Sequence, residues 1–107
     1  MKENNLCFLR DGASLTVKLS GDVDHHSAKD IRERIDKEIF HLRPRLLRLD
    51  FGNIGFMDSS GIALIFGRVE SAAAVGATVR LERLSPALMK LVRLSGAERV
   101  RGLSVVG

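Results

Sequence analysis

The hydrophobic period of this chain switches between two and about 3.6 residues several times, and that switching leaves few folds open. Leu15, Val17 and Leu19 alternate with Thr16 and Lys18, the mark of a strand with one buried face. Ile31, Ile35, Ile39 and Leu42 then recur at helical spacing with charges between them. Leu47, Leu49 and Phe51 return to period two. Ile62, Ile65, Phe66 and Val69, continued by Ala72 and Ala73, are helical again. Val79 and Leu81 predict a fourth strand within Thr78 to Leu84, and Leu88, Leu91 and Val92 a third helix. Ahead of these, the apolar run Leu6 to Arg10 is joined to the next strand by Asp11-Gly12, a tight hairpin signal. The order is β-β-α-β-α-β-α, with Val100 to Val106 able to add a last strand. Strand–helix–strand repetition forces mostly parallel neighbours with right-handed crossovers, and the initial hairpin adds an antiparallel edge. The expectation is a mixed, mostly parallel α/β sheet with helices packed on it.

Punctuation sets the boundaries. Gly21 to His26 reads as a polar turn, and Ser27 with Asp30 three positions later resembles a capping box that opens the first helix. Arg43-Pro44 stops that helix. Gly52 to Asp58 reads as a loop into the second helix, which Gly76 ends. Ser85-Pro86 opens the third helix as N-cap and first helical residue, and Ser95-Gly96 closes it.

With 107 residues there is length for one domain, 1–107, and one modest core. No stretch approaches the roughly 20 apolar residues of a transmembrane helix. The start, Met1-Lys2-Glu3-Asn4-Asn5, lacks the apolar core of a signal peptide. The lone Cys7 excludes an intramolecular disulfide and a cysteine-based zinc site, and is expected as a buried apolar residue of the first strand. These features predict a soluble, cytosolic, globular domain. The net charge of +4 makes nucleic acid the first partner to weigh. The basic residues are scattered singly among acids, as in Asp30-Ile31-Arg32-Glu33-Arg34. The chain has no Trp or Tyr, so no stacking platform is visible and direct nucleic-acid binding is disfavoured.

In parallel α/β sheets, function sits at the carboxyl ends of the strands. Two loops qualify. In Phe56-Met57-Asp58-Ser59-Ser60-Gly61, Asp and Ser are N-cap residues, and helix capping alone accounts for their presence. The same spot suits a phosphoserine, because a helix N-terminus offers free N–H groups and partial positive charge. Gly61 would allow close approach by a partner. No lysine follows Gly61, so this is not a phosphate-binding P-loop. Met57 stands where a hydrolase nucleophile elbow needs its first glycine, so no catalytic role is assigned. In Gly21-Asp22-Val23-Asp24-His25-His26-Ser27, two carboxylates and two imidazoles invite a metal. Adjacent histidines rarely converge on one ion, and no metal is expected. A polar helix entry and a surface for a cationic partner both remain open.

Together the two loops resemble those of the anti-sigma factor antagonists, the stand-alone STAS domains of bacteria. The likeness is greatest to the branch that antagonises anti-sigma F factors in endospore formers. It also covers Ile62, Leu64-Ile65-Phe66-Gly67-Arg68, Ser85-Pro86 and Leu94-Ser95-Gly96, running from about Leu15 to Arg101. The resemblance implies a protein that binds an ATP- or ADP-bound anti-sigma factor serine kinase and so releases the sigma factor. The kinase then phosphorylates Ser59, and a serine phosphatase reverses this. Ser59 would be a substrate, and the chain would need no cofactor of its own. Asp24 matches the acidic contact to the kinase. Asp22, His25, His26, Asp58, Ser60 and Gly61 lie in the matching loops, with Ser60 a candidate cap for the second helix. A general-stress antagonist or a stressosome subunit would share the fold.

Two departures from the family stand out. The chain stops soon after the last predicted strand, where family members usually add a closing helix, so an apolar sheet face is expected to be less covered. The basic charge is also unusual for an antagonist, and it implies either arginines remote from the contact loops or an acidic partner.

Overall fold

The computed structural model describes residues 5–106. Strands β1 (Asn5–Asp11) and β2 (Ser14–Val23) form an antiparallel hairpin turned at Gly12. Helix α1 (Ala28–Leu42), strand β3 (Leu46–Met57), helix α2 (Ser59–Ala73), strand β4 (Thr78–Glu82), helix α3 (Pro86–Leu94) and strand β5 (Leu103–Val105) follow. A single 3-10 turn, Ala97–Arg99, precedes β5. The sheet order is β1-β2-β3-β4-β5, with every pair after the hairpin parallel. Each crossover steps one strand in the same direction, so right-handed connections place all three helices on one face.

Registered rows of side chains explain the layering. Leu15, Leu47, Val79 and Leu103 are paired across the sheet, as are Val17, Leu49 and Leu81, and all are buried. Ile31, Ile35 and Ile39 of α1 and Leu64, Ile65, Val69 and Ala72 of α2 join the same core. The opposite rows are polar: Thr16, Arg48, Arg80 and Ser104 in one, Lys18, Asp50 and Glu82 in the next. Glu82 binds Arg48 at 2.9 Å and lies 3.9 Å from Arg80, while Arg83 reaches Asp50 at 2.9 Å. The expected apolar uncovered face is therefore corrected: the side away from the helices is a charged surface that water solvates. Cys7 pairs with Lys18 on this side and is exposed, not buried.

The helix stops obey the local code. Arg43 ends α1 with a left-handed backbone (φ 47°), and its N–H bonds the Ile39 carbonyl at 2.8 Å. At the end of α2, the N–H groups of Gly76 and Ala77 bond Ala73 and Ala72. Gly76 takes the positive φ of 79° that this closure requires. The Ser85 hydroxyl accepts the Leu88 N–H at 3.2 Å, with Pro86 opening α3.

Three boundaries differ from expectation. β2 continues through Gly21–Val23, and β3 continues through the predicted loop to Met57. The ladder persists through Ser20–Asn53, Gly21–Ile54, Asp22–Phe56 and Val23–Met57, shifting register twice. Those irregularities break the period of two, so a chain that stays paired reads as a loop. β4 stops at Glu82, where Arg83 turns left-handed (φ 55°).

Candidate functional site

The extended β2 and β3 end side by side, with the Asp58 N–H bonded to the Val23 carbonyl at 3.2 Å. This brings the two loops singled out in the sequence to one edge of the molecule. After β2, Asp24 organises the chain. Its Oδ1 accepts the N–H groups of His26 and Ser27 at 2.9 and 3.0 Å. The Ser27 hydroxyl accepts the Asp24 N–H at 3.0 Å and donates to the Asp22 carbonyl at 2.9 Å. The Ala28 N–H bonds the Asp24 carbonyl at 3.0 Å, closing a single turn ahead of α1.

The expected Ser27–Asp30 capping box is thus corrected. Ser27 has helical dihedrals and makes no side-chain cap of α1. Asp30 faces Arg34 at 3.7 Å instead. The N–H of Ser27 first, then that of His26, the Ser27 hydroxyl and the nearby His26, hold the Asp24 carboxyl below its usual range, against partial burial. His25 and His26 are exposed, their rings edge to face at 5.2 Å. Among the described residues, no group of three His, Cys, Asp or Glu side chains converges on a metal position.

The second loop is also tied down by an aspartate. Asp58 has the extended backbone of an N-cap, and its Oδ1 accepts the Ser60 N–H at 2.8 Å. The Gly61 N–H bonds the Asp58 carbonyl at 3.0 Å. Asp58, not Ser60, is therefore the cap of α2. Gly61 is buried, and a Cβ there would overlap the Met57 side chain and crowd Val23. Its smallness serves the approach of α2 to its own strands, which corrects the expectation that it admits a partner. Ser59 differs from these neighbours: it is the first residue of α2 and is exposed. Half-buried Asp22 is paired in register with Phe56, which is 53% exposed.

Two features of this region escape a sequence reading. Phe56 sits at an apolar position of the motif yet faces outward. Arg68 of α2 is buried, with its Nε 2.8 Å from Asp36 Oδ1 of α1. The contact is poorly aligned for a hydrogen bond, and Arg68 Nη1 is buried without a partner. Burial lowers the Arg68 pKa, and the Asp36 charge partly offsets this. The available signal was position: Arg68 falls three residues after Ile65 and one before Val69, inside the apolar stripe.

Residues 9–104 match the STAS domain family model. The chain belongs to the STAS family. Within it, this STAS domain is 32% identical over 83 residues to the anti-sigma F factor antagonist of Lysinibacillus sphaericus, covering 78% of this chain and 71% of that one. It is 31% identical over 86 residues to the namesake from Paenibacillus polymyxa, covering 80% and 74%. These relatives place the STAS domain among the anti-sigma factor antagonists. The solved anti-sigma factor antagonist SpoIIAA in its unphosphorylated form superposes with a TM-score of 0.79 at 27% identity, covering 96% of this chain and 89% of that one. The phosphorylated form of the Bacillus SpoIIAA gives 0.71 at 28% identity, covering 98% and 92%.

Proposed function

We propose that this chain acts, as one domain, as an anti-sigma factor antagonist switched by phosphorylation of Ser59. It binds an anti-sigma factor serine kinase in its nucleotide-bound form, frees the sigma factor, and is then phosphorylated and released. A serine phosphatase resets it. The chain works in the cytoplasm as a binding protein and substrate, not as an enzyme, and supplies no cofactor.

One observation carries the choice of residue. Asp58 caps α2 with its side chain, Ser60 is half-buried and Gly61 is buried, whereas the neighbouring Ser59 is exposed at the first position of the helix. A kinase needs a reachable hydroxyl, and Ser59 offers one. A solved relative that exists in both unphosphorylated and phosphorylated forms supports the same reading. Phosphate adds roughly −1.5 to −2 charge at a helix end whose dipole tolerates it. At a protein contact the same dianion must shed water, so binding fails while the fold persists. Asp24 and Asp22 at the end of β2, with exposed His25 and His26, form the other half of the contact edge.

The test is displacement. Added to a complex of the cognate sigma and anti-sigma factors with ATP, the chain should release free sigma factor, read by size-exclusion chromatography. A chain phosphorylated beforehand should release none. Failure of the unmodified chain to displace sigma would refute the proposal.

A further inference from the structure

A cavity of about 260 Å³ opens between the starts of α1 and α2. Its polar lining is His25, Lys29, Arg32 and the Ser60 residue, and no carboxylate contributes to it. Ala28, Ala63 and Leu64 complete the wall. The two alanines present only methyl groups where the helices meet, so the space stays unfilled. Arg32 forms no ion pair among the described residues, and Lys29 is held only by an exposed contact to Glu33 at 3.8 Å.

We infer that this cavity receives an acidic side chain of the protein partner; the inference rests on the proposed function and names a contact within it. Three observations converge on that occupant. The lining is basic, and a guanidinium with free N–H groups pairs bidentately with a carboxylate. Small-molecule sites usually measure about 300–1,000 Å³, so the cavity is better matched to a single inserted side chain than to a whole ligand. The cavity is also continuous with the proposed contact edge: Ser60 follows Ser59, and His25 follows Asp24. It further gives the excess positive charge of +4 a local use, opposite an acidic surface.

The edge would then read the partner with two signs. Asp24 meets a cation, and the Lys29–Arg32 cavity beside it meets an anion. A partner with the charges reversed is rejected at both points, which confers specificity more than raw affinity.

Calorimetric titration of the full chain against its cognate anti-sigma kinase tests this. Arg32→Glu, alone and with Lys29→Glu, should weaken binding about tenfold or more, with an unchanged circular dichroism melt. Lys37→Glu, which reverses an exposed charge elsewhere on α1, should stay within about twofold. Unaltered affinity in Arg32→Glu, with the parent chain binding normally, overturns this inference alone. Absence of binding by the parent chain overturns the functional reading and this inference with it. A second arm adds millimolar inorganic phosphate to the labelled chain. If phosphate shifts the amide resonances of Lys29, Arg32 and Ser60 while Arg32→Glu keeps its kinase affinity, the cavity is a free-anion site and the inference is wrong.

Discussion

Asp24 holds two backbone N–H groups with one carboxylate oxygen, and the proposed function gives its charge a second role in the partner contact. Its two roles separate by substitution. Asp24→Asn keeps an acceptor for the turn and removes the charge, so the melt at neutral pH should fall less than in Asp24→Ala while kinase affinity falls about tenfold or more. Asp24→Ala removes both bonds to the turn's N–H groups as well and should lower the melting temperature by roughly a few degrees. Equal kinase affinity for Asp24→Asn and the parent chain would take Asp24 out of the contact. Gly61 carries the opposite kind of constraint. Gly61→Ala forces a methyl group into Met57 and should cost about 1–3 kcal/mol in denaturant unfolding, through overpacking at the base of α2. A neutral result would show that Met57 yields without penalty. The position of Ser59 at the start of α2 was legible, because a helix start is a local feature. The sequence motif reads poorly at Gly61, because what a glycine lets approach is decided by Val23 and Met57, which local spacing does not reveal.

At the scale of elements, α1 and α2 are tied by Arg68 and Asp36 as well as by apolar packing. Both helices carry the proposed contact edge at their N-terminal ends, so this pair fixes how its two halves face each other. Asp36→Ala would strand a buried guanidinium and should destabilise by about 2–4 kcal/mol. Joint replacement by Arg68→Met and Asp36→Leu should recover most of that, because the desolvation cost disappears with the charge. Urea unfolding of the single and double variants measures both, and a double variant no more stable than Asp36→Ala would contradict the account. Helix interiors were legible in the sequence: Ile31, Ile35 and Ile39 are spaced by the helix itself and are all buried. Strand ends were not. The bulges between Lys18 and Ser20 and between Gly21 and Asp22 shift the faces, so the burial of Val23, Ile54 and Met57 shows no simple period. The start of α1 at Ala28 was legible, but the way it is capped was not. Ser27 looks like a cap in sequence, yet its N–H is taken by the Asp24 carboxylate and its side chain caps nothing in α1.

For the whole molecule, Asp50 and Asp24 both add to the response to acid. Burial alone would raise the Asp50 pKa. The Arg83 hydrogen bond, the Gly52 N–H and the charges of Arg83 and Lys18 outweigh it, and the net shift is downward. Asp24 is shifted downward too. For both, the folded pKa lies below the unfolded value near 3.8. Their stabilising contribution is therefore complete above that value and is lost as pH falls through the folded pKa. Unfolding free energy should be flat in these groups near neutrality and decline below about pH 4. Asp50→Asn should flatten that decline, and an unchanged acid slope would remove Asp50 as a cause. The same ion pairs show why the face away from the helices needs no apolar cover: Arg48, Glu82, Arg83 and Asp50 satisfy one another at the water boundary.

The central claim is that Ser59 is the switch, and intact mass spectrometry tests it most directly. The chain is incubated with ATP, magnesium and its cognate anti-sigma kinase, beside Ser59→Ala and Ser60→Ala. The account predicts the mass of one added phosphate on the parent chain and on Ser60→Ala, and none on Ser59→Ala. A phosphate that survives in Ser59→Ala and vanishes in Ser60→Ala would contradict it and move the switch one residue into α2.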